Sequence, residues 1–103
     1  LSQRFVVDTG ASMVTIPVSA ARRLGIYDAS APKKRVITAG GIVFAPSVMI
    51  DAIEMGGRTE YRVEAFVLDL PEHPDIGLLG MNYLSRFKME VNADEGILTL
   101  TPR

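Results

Sequence analysis

The stretch Phe-Val-Val-Asp-Thr-Gly-Ala-Ser, residues 5–12, is the most informative part of this chain. Its apolar start predicts a short strand that ends at Asp8. An acid directly after a buried strand is costly to ionise unless hydrogen-bond donors meet it. Thr9 offers a hydroxyl as one donor. Gly10 has no side chain, so its backbone can lie close to the Asp8 carboxylate and its N–H can donate to it. The stretch can therefore hold a carboxylate firmly at a strand end, as acid–base catalysis requires.

The Asp-Thr-Gly tripeptide has a simpler interpretation as well. With about 5% each for Asp and Thr and about 7% for Gly, it occurs by chance in roughly one chain of this length in fifty. It could form an Asx-type turn between two strands, in which the Asp8 side chain accepts hydrogen bonds from nearby N–H groups. The tripeptide by itself leaves the turn and the catalytic interpretation both open.

Composition removes several classes of function. The 103 residues carry 11 Lys and Arg against 12 Asp and Glu, a formal charge of -1, so no basic excess points to nucleic acid. The chain has no Cys, which excludes disulfides, Cys-ligated zinc and a thiol nucleophile. Its single His, His73, is predicted to be a solvated loop residue, and a site with several His ligands is impossible within one chain.

The sequence shows no membrane-spanning or targeting segment. No apolar run approaches the ~20 residues that cross a bilayer, so we expect no membrane contact within these residues. The chain starts at Leu1 rather than Met, and a strand is predicted almost at once. We therefore expect a fragment, a processed product or an excised domain, and its compartment stays open.

Most of the chain is predicted to form short strands joined by glycine turns. Three hairpins are expected, around Gly40-Gly41, around Gly56-Gly57 and around residues 92–96. Six or seven strands of this kind predict a small all-β barrel or sandwich in a single domain.

Two short helices interrupt the strands. Residues 19–24 predict a helix that Ser19 caps and Gly25 ends in the left-handed conformation. Residues 82–87 predict another, with Asn82 as a candidate N-cap.

Three segments together resemble the retropepsin-like aspartic proteases, most closely the bacterial members. Val-Val-Asp-Thr-Gly-Ala at residues 6–11 is similar to the family's strand and catalytic motif. Thr-Ala-Gly-Gly-Ile at residues 38–42 is similar to the tip of its flap hairpin. Leu-Leu-Gly-Met-Asn-Tyr-Leu at residues 78–84 is similar to the apolar pair, glycine and short helix near the C-terminus. Their order and spacing agree, and the resemblance covers nearly the whole chain.

The resemblance implies a fold and a domain boundary. The expected fold is all-β, a small closed retropepsin-like barrel with a flap hairpin and one or two short helices. Residues 1–103 would form one such domain, and because only seven residues precede Asp8, it is expected to lack one or more N-terminal strands of the viral enzymes.

The resemblance also implies a mechanism of peptide-bond hydrolysis. Two aspartates on the order of 3 Å apart share one proton, because like charges that close cannot both ionise. One carboxylate acts as general base on a water molecule, and the other gives a proton toward the scissile carbonyl. No metal and no cofactor are expected.

The chain has one Asp-Thr-Gly, so the resemblance implies a homodimer in which Asp8 meets its equivalent on a twofold axis. A peptide or protein substrate would lie in the shared cleft. The alternative from another class is a retropepsin-like module that dimerises or binds peptides without hydrolysis.

The resemblance assigns site residues by position. The expected catalytic group consists of Asp8, Thr9 and Gly10. The expected substrate-binding residues are Ala11, Ser12, Thr38, Ala39, Gly40, Gly41, Ile42 and Leu79. An ordinary hairpin turn remains an alternative for the two glycines of the flap tip.

Two positions depart from the viral pattern. Viral members carry an acid where this chain has Ser12 and an Arg where it has Met81, and those two groups can pair. Both are absent here, so no buried charge is left unpaired, and the subsite that they shape is expected to be less polar. Bacterial relatives are often tethered to a membrane, so this segment could be the soluble domain of an anchored protein.

Overall fold

The computed structural model describes residues 2–38 and 41–103. The described residues form eight strands and two short helices. In chain order these are β1 (Arg4–Val7), β2 (Val14–Ile16), α1 (Val18–Arg23), β3 (Lys33–Thr38), β4 (Gly41–Met55), β5 (Arg58–Val67), β6 (Ile76–Leu79), α2 (Met81–Leu84), β7 (Phe87–Asn92) and β8 (Ile97–Pro102). This nearly all-β content with two short helices confirms the predicted fold class.

Six strands form one curled sheet in the order β1-β6-β2-β5-β4-β3. β1 pairs with β6 in parallel and β2 with β5 in parallel, while the other neighbours in the sheet are antiparallel. The sheet has the form of a half-barrel with β1 and β3 at its two ends, and β7 and β8 form a separate hairpin. The order brings the first strand beside the sixth, although some 70 residues separate them in sequence.

β4 is a 15-residue strand that changes partner along its length. Its first part pairs with β3 as far as Pro46, and its second part pairs with β5 from Ser47 onward. Proline has no N–H to donate to a ladder, which suits the position where one pairing ends and the next begins. The predicted hairpins are therefore present, and two of them share this strand.

The glycine turns differ from each other. Met55 pairs with Arg58, and both intervening glycines have positive φ (61° and 79°), as a two-residue hairpin turn requires. In the β3–β4 hairpin the last pair is Thr38 with Gly41. Gly41 therefore belongs to the strand rather than to the turn, and the predicted turn residue Gly40 lies outside the described residues.

Both helices begin earlier than predicted. α1 begins at Val18 with Pro17 as N-cap, so Ser19 is inside the helix and the prediction that it caps the helix was wrong. The left-handed Gly25 that follows α1 is confirmed, with φ 73°. α2 has Gly80 as N-cap and ends at Leu84, so the predicted N-cap role of Asn82 was wrong.

The core lies between the curled sheet and the two helices. Its buried members come mainly from β2, β5, β6 and α2, and include Val14, Ile16, Val63, Ala65, Val67, Leu79, Tyr83 and Leu84. Phe87, at the start of β7, packs its ring on Tyr83 with 5.2 Å between ring centroids. This contact helps to join the separate β7–β8 hairpin to the core.

Candidate functional site

Asp8 lies immediately after β1, where the parallel β1–β6 ladder ends. The last pair of the ladder is Val7 with Leu79. The backbone N–H of Asp8 then donates to the carbonyl of Leu79 at 3.0 Å, which extends the ladder by one hydrogen bond. The backbone that carries the carboxylate is thus held by the sheet, and the side chain is half-buried.

The Asp8 side chain closes a turn on its own loop. The N–H of Gly10 donates to Asp8 Oδ1 at 3.0 Å, and the N–H of Ala11 donates to the backbone carbonyl of Asp8 at 3.2 Å. A Cβ at residue 10 would stand 3.3 Å from Oδ1, a tight approach that glycine avoids. The Asx-type turn anticipated from the sequence is present, and it leaves one carboxylate oxygen oriented by a backbone donor.

The loop after Asp8 is supported by the junction of β6 and α2. The N–H groups of Met81 and Asn82 donate to the carbonyls of Ala11 and Ser12, at 2.8 and 3.0 Å. Gly80 lies so close to the Met13 backbone that a Cβ there would overlap it. Two of the three segments of the resemblance, residues 6–11 and 78–84, are therefore in direct backbone contact.

Asn82 fixes this junction to two strands of the sheet. Its Oδ1 accepts from the N–H of Val14 at 2.8 Å, and its Nδ2 donates to the carbonyl of Glu64 at 2.7 Å. Both hydrogen bonds are partly buried. The amide side chain joins α2 to β2 and β5, a role that the sequence analysis did not assign.

A cavity of about 520 Å³ opens beside this loop, and we call it the motif cleft. Residues 10–13 line one side, and residues 36–38 and 43 of the β3–β4 hairpin line another. Phe66 and Leu78 add apolar surface from the sheet. The structure thus brings Gly10, Ala11, Ser12 and Thr38, all predicted from the sequence, to one cavity.

The remaining predicted site residues have other positions. Thr9 is exposed beside the cleft, and Ile42 is 57% exposed on the hairpin without lining the cavity. Gly41 is at the start of β4. Leu79 is 1% exposed and does not line the cleft, and its carbonyl accepts the N–H of Asp8. The other two flap-tip residues, Ala39 and Gly40, lie outside the described residues.

Residues 68–71 form a third side of the motif cleft that the sequence analysis missed. His73, which the sequence predicts to be a solvated loop residue, lies shortly after this segment and is exposed. The missed pattern is Leu68-Asp69-Leu70, in which two apolar residues flank an acid directly after β5.

The part of the chain that the structure describes, residues 2–38 and 41–103, contains no cluster of three or more His, Cys, Asp or Glu side chains suited to a metal ion. Neither helix within it has the length and apolar character needed to cross a bilayer.

Two comparisons with known proteins find similarity to this chain. A family model described as "gag-polyprotein putative aspartyl protease" matches residues 2–86, which include Asp8 and the whole motif cleft. The chain is also similar to the crystal structure of a retropepsin-like aspartic protease from Rickettsia conorii, with 33% identity and a TM-score of 0.71. That match covers 93% of this chain and 70% of the Rickettsia chain. A search of the curated proteins finds no significant match.

Proposed function

The chain belongs to the gag-polyprotein aspartyl protease family, and on that premise we propose that it is an aspartic endopeptidase built from two copies of this subunit. The observation that carries the proposal is the setting of Asp8. Its carboxylate is half-buried, one oxygen accepts the N–H of Gly10 at 3.0 Å, and the same loop lines an apolar cleft. A carboxylate held in this way is suited to proton transfer.

The proposed chemistry needs Asp8 from each of two subunits. At a separation of about 3 Å the two carboxylates would hold one proton between them, and the pair would titrate as a unit. The ionised carboxylate takes a proton from a bound water, which attacks the scissile carbonyl. The protonated carboxyl gives its proton toward the carbonyl oxygen. The C–N bond then breaks as the first carboxyl returns the water-derived proton to the leaving amine nitrogen. Water is the nucleophile, so no acyl-enzyme forms.

The surface around Asp8 supports a twofold assembly. β1 is an end strand of the sheet, and Val6 and Val7 are 50% and 43% exposed on it. Thr9, next to the carboxylate, is exposed as well. A twofold axis beside the loop would cover these residues with the same residues of the second copy.

The β3–β4 hairpin would act as the cover of the substrate. Its residues Val36, Thr38 and Val43 line the cleft opposite the Asp8 loop, so a peptide between the two would be shielded from water. Contacts from Ala39, Gly40, Gly41 and Ile42 to the peptide stay predictions of the family resemblance.

The proposal is tested by cleavage of a peptide library between about pH 4 and 7, with Asp8→Asn beside the unaltered chain. The amide cannot act as general base, so we expect cleavage to fall by at least 10²-fold, the lower bound for loss of acid–base catalysis. Asp94→Asn makes the same chemical change at an exposed position outside the cleft and should cleave normally.

Sedimentation of the same samples makes the result decisive. If the unaltered chain is a dimer and cleaves nothing, the proposal fails and a non-catalytic peptide-binding module takes its place. If Asp8→Asn cleaves as fast as the unaltered chain, the assignment of Asp8 is wrong.

A further inference from the structure

The motif cleft contains one charged side chain among its described residues, that of Asp69. It is in the third side of the cleft, between Leu68 and Leu70, and the remaining lining is apolar or uncharged. A single acid in an otherwise apolar wall is the kind of polar group that sets specificity in a ligand cavity.

Asp69 is held in place from outside the cleft. Its Oδ1 accepts the backbone N–H of Val18, the first residue of α1, at 2.9 Å. This bond satisfies a free donor at the helix start and orients the carboxylate. The acid therefore has a fixed position relative to the cleft.

Asp69 has no cation of its own in the described residues. The ion pairs within residues 2–38 and 41–103 join Lys34 to Glu64, Lys88 to Glu90, and Glu60 to two arginines. None of them involves Asp69, and the side chain is exposed. Its negative charge is available to a group that enters the cleft.

The chemistry of the cleft suits a long cationic side chain. Lys and Arg place an aliphatic stem along apolar surface while the charged head meets a polar group. Here the stem would lie on side chains such as Val36, Phe66 and Leu70, and the head would reach Asp69. The volume of about 520 Å³ lies within the ~300–1,000 Å³ range of ligand cavities.

We propose that Asp69 is a specificity-determining residue that selects peptides with a Lys or Arg side chain in the motif cleft. This inference rests on the proposed function, since it names the substrate class of the same site. An acidic side chain at that position would be disfavoured by repulsion from Asp69.

The test separates binding from hydrolysis by using ¹⁵N-labelled Asp8→Asn protein, which cannot cleave. It is titrated with an apolar hexapeptide that has one central Lys, and with the same peptide carrying acetyl-lysine, which keeps the stem and removes the charge. We expect the amide signals of Leu68, Asp69 and Leu70 to shift. The acetylated peptide should bind roughly two- to fivefold more weakly, as loss of a solvent-accessible ion pair predicts.

Variants of the labelled protein complete the test. Adding Asp69→Asn keeps an oxygen acceptor for the Val18 N–H and removes the charge, so the two peptides should then bind equally. Adding Asp75→Asn removes a charge from the same loop outside the cleft and should leave the preference intact.

Three results would overturn the inference: equal affinity for the two peptides with Asp69 present, an unchanged preference after Asp69→Asn, or no shift near Asp69 at millimolar peptide. Each is independent of catalysis. Cleavage by the Asp8-containing chain, measured separately, decides the proposed function.

Discussion

At the scale of single residues, the candidate site depends on Asp8 and on the groups that orient its carboxylate and fix the backbone around it. The Gly10 N–H orients the carboxylate, and Asn82 holds the junction that supports the loop after it. The turn and the catalytic interpretation of Asp8 are compatible, because the turn occupies one carboxylate oxygen with one backbone donor.

Asn82→Ala is expected to destabilise the chain by about 1–3 kcal/mol, because it leaves a partly buried N–H of Val14 and the carbonyl of Glu64 without partners. Urea unfolding followed by circular dichroism measures this loss. Asn92→Ala is the matched control, since its amide accepts only an exposed N–H from Glu95. Equal losses for the two variants would contradict the bridging role of Asn82.

At the scale of elements, β5 contains one residue with an unusual backbone conformation, and a side chain from outside the strand supports it. Arg62 has φ 55°, a left-handed conformation that costs a non-glycine residue about 1–2 kcal/mol. The guanidinium of Arg86, between α2 and β7, donates to the carbonyls of Tyr61 and Arg62 at 2.7 and 2.9 Å. The same group lies 3.6 Å from a carboxylate oxygen of Glu60.

Arg86→Lys should therefore lower the free energy of unfolding by about 1–2 kcal/mol, although the charge is kept. A Lys ammonium is a point donor and cannot reproduce the planar fork that spans two neighbouring carbonyls. Arg23→Lys, an exposed change at the end of α1, should stay within about 0.5 kcal/mol of the unaltered chain. If Arg86→Lys lowers the free energy of unfolding no more than Arg23→Lys does, the two guanidinium hydrogen bonds do not support the left-handed Arg62.

At the scale of the whole molecule, one core joins elements that are far apart in sequence. Tyr83 is 1% exposed in that core and packs on Phe87. Burial raises the pKa of the Tyr83 hydroxyl, and the negative charge of Glu60 adds to the shift. The folded state thus favours neutral Tyr83 more strongly than the unfolded chain does.

This shift predicts how stability depends on alkaline pH. A raised folded-state pKa contributes stability that is complete below the ordinary tyrosine value of about 10 and is lost as pH rises through the folded-state pKa. Urea midpoints measured from about pH 9 to 11 should fall less for Tyr83→Phe than for the unaltered chain. Tyr61→Phe, at a site 67% exposed, should follow the unaltered chain. Parallel curves for Tyr83→Phe and the unaltered chain would exclude the buried hydroxyl as the cause.

Local pattern was enough to predict much of the fold. The Gly56-Gly57 turn needs two positive φ values, which glycine adopts without strain. The hairpin could therefore be predicted from these two neighbouring residues alone. The start of α1 could not be predicted in this way. Its first N–H, that of Val18, donates to Asp69, some 50 residues away in sequence, and not to Ser19. A cap supplied from a distant loop leaves no local pattern.

The sequence by itself determined the chemical groups that the chain carries: one strand-end carboxylate at Asp8 with a glycine donor two residues later, and neither Cys nor a second Asp-Thr-Gly. Those properties depend on residue type and short spacing. Only the tertiary structure decided what lies next to the Asp8 loop, because β1 pairs with β6 and residues 68–71 line the same cavity as residues 10–13. The position of Asp69 in that cavity and the amide bridge of Asn82 arise from contacts over long sequence distances, so their sequence neighbours do not indicate which groups they meet.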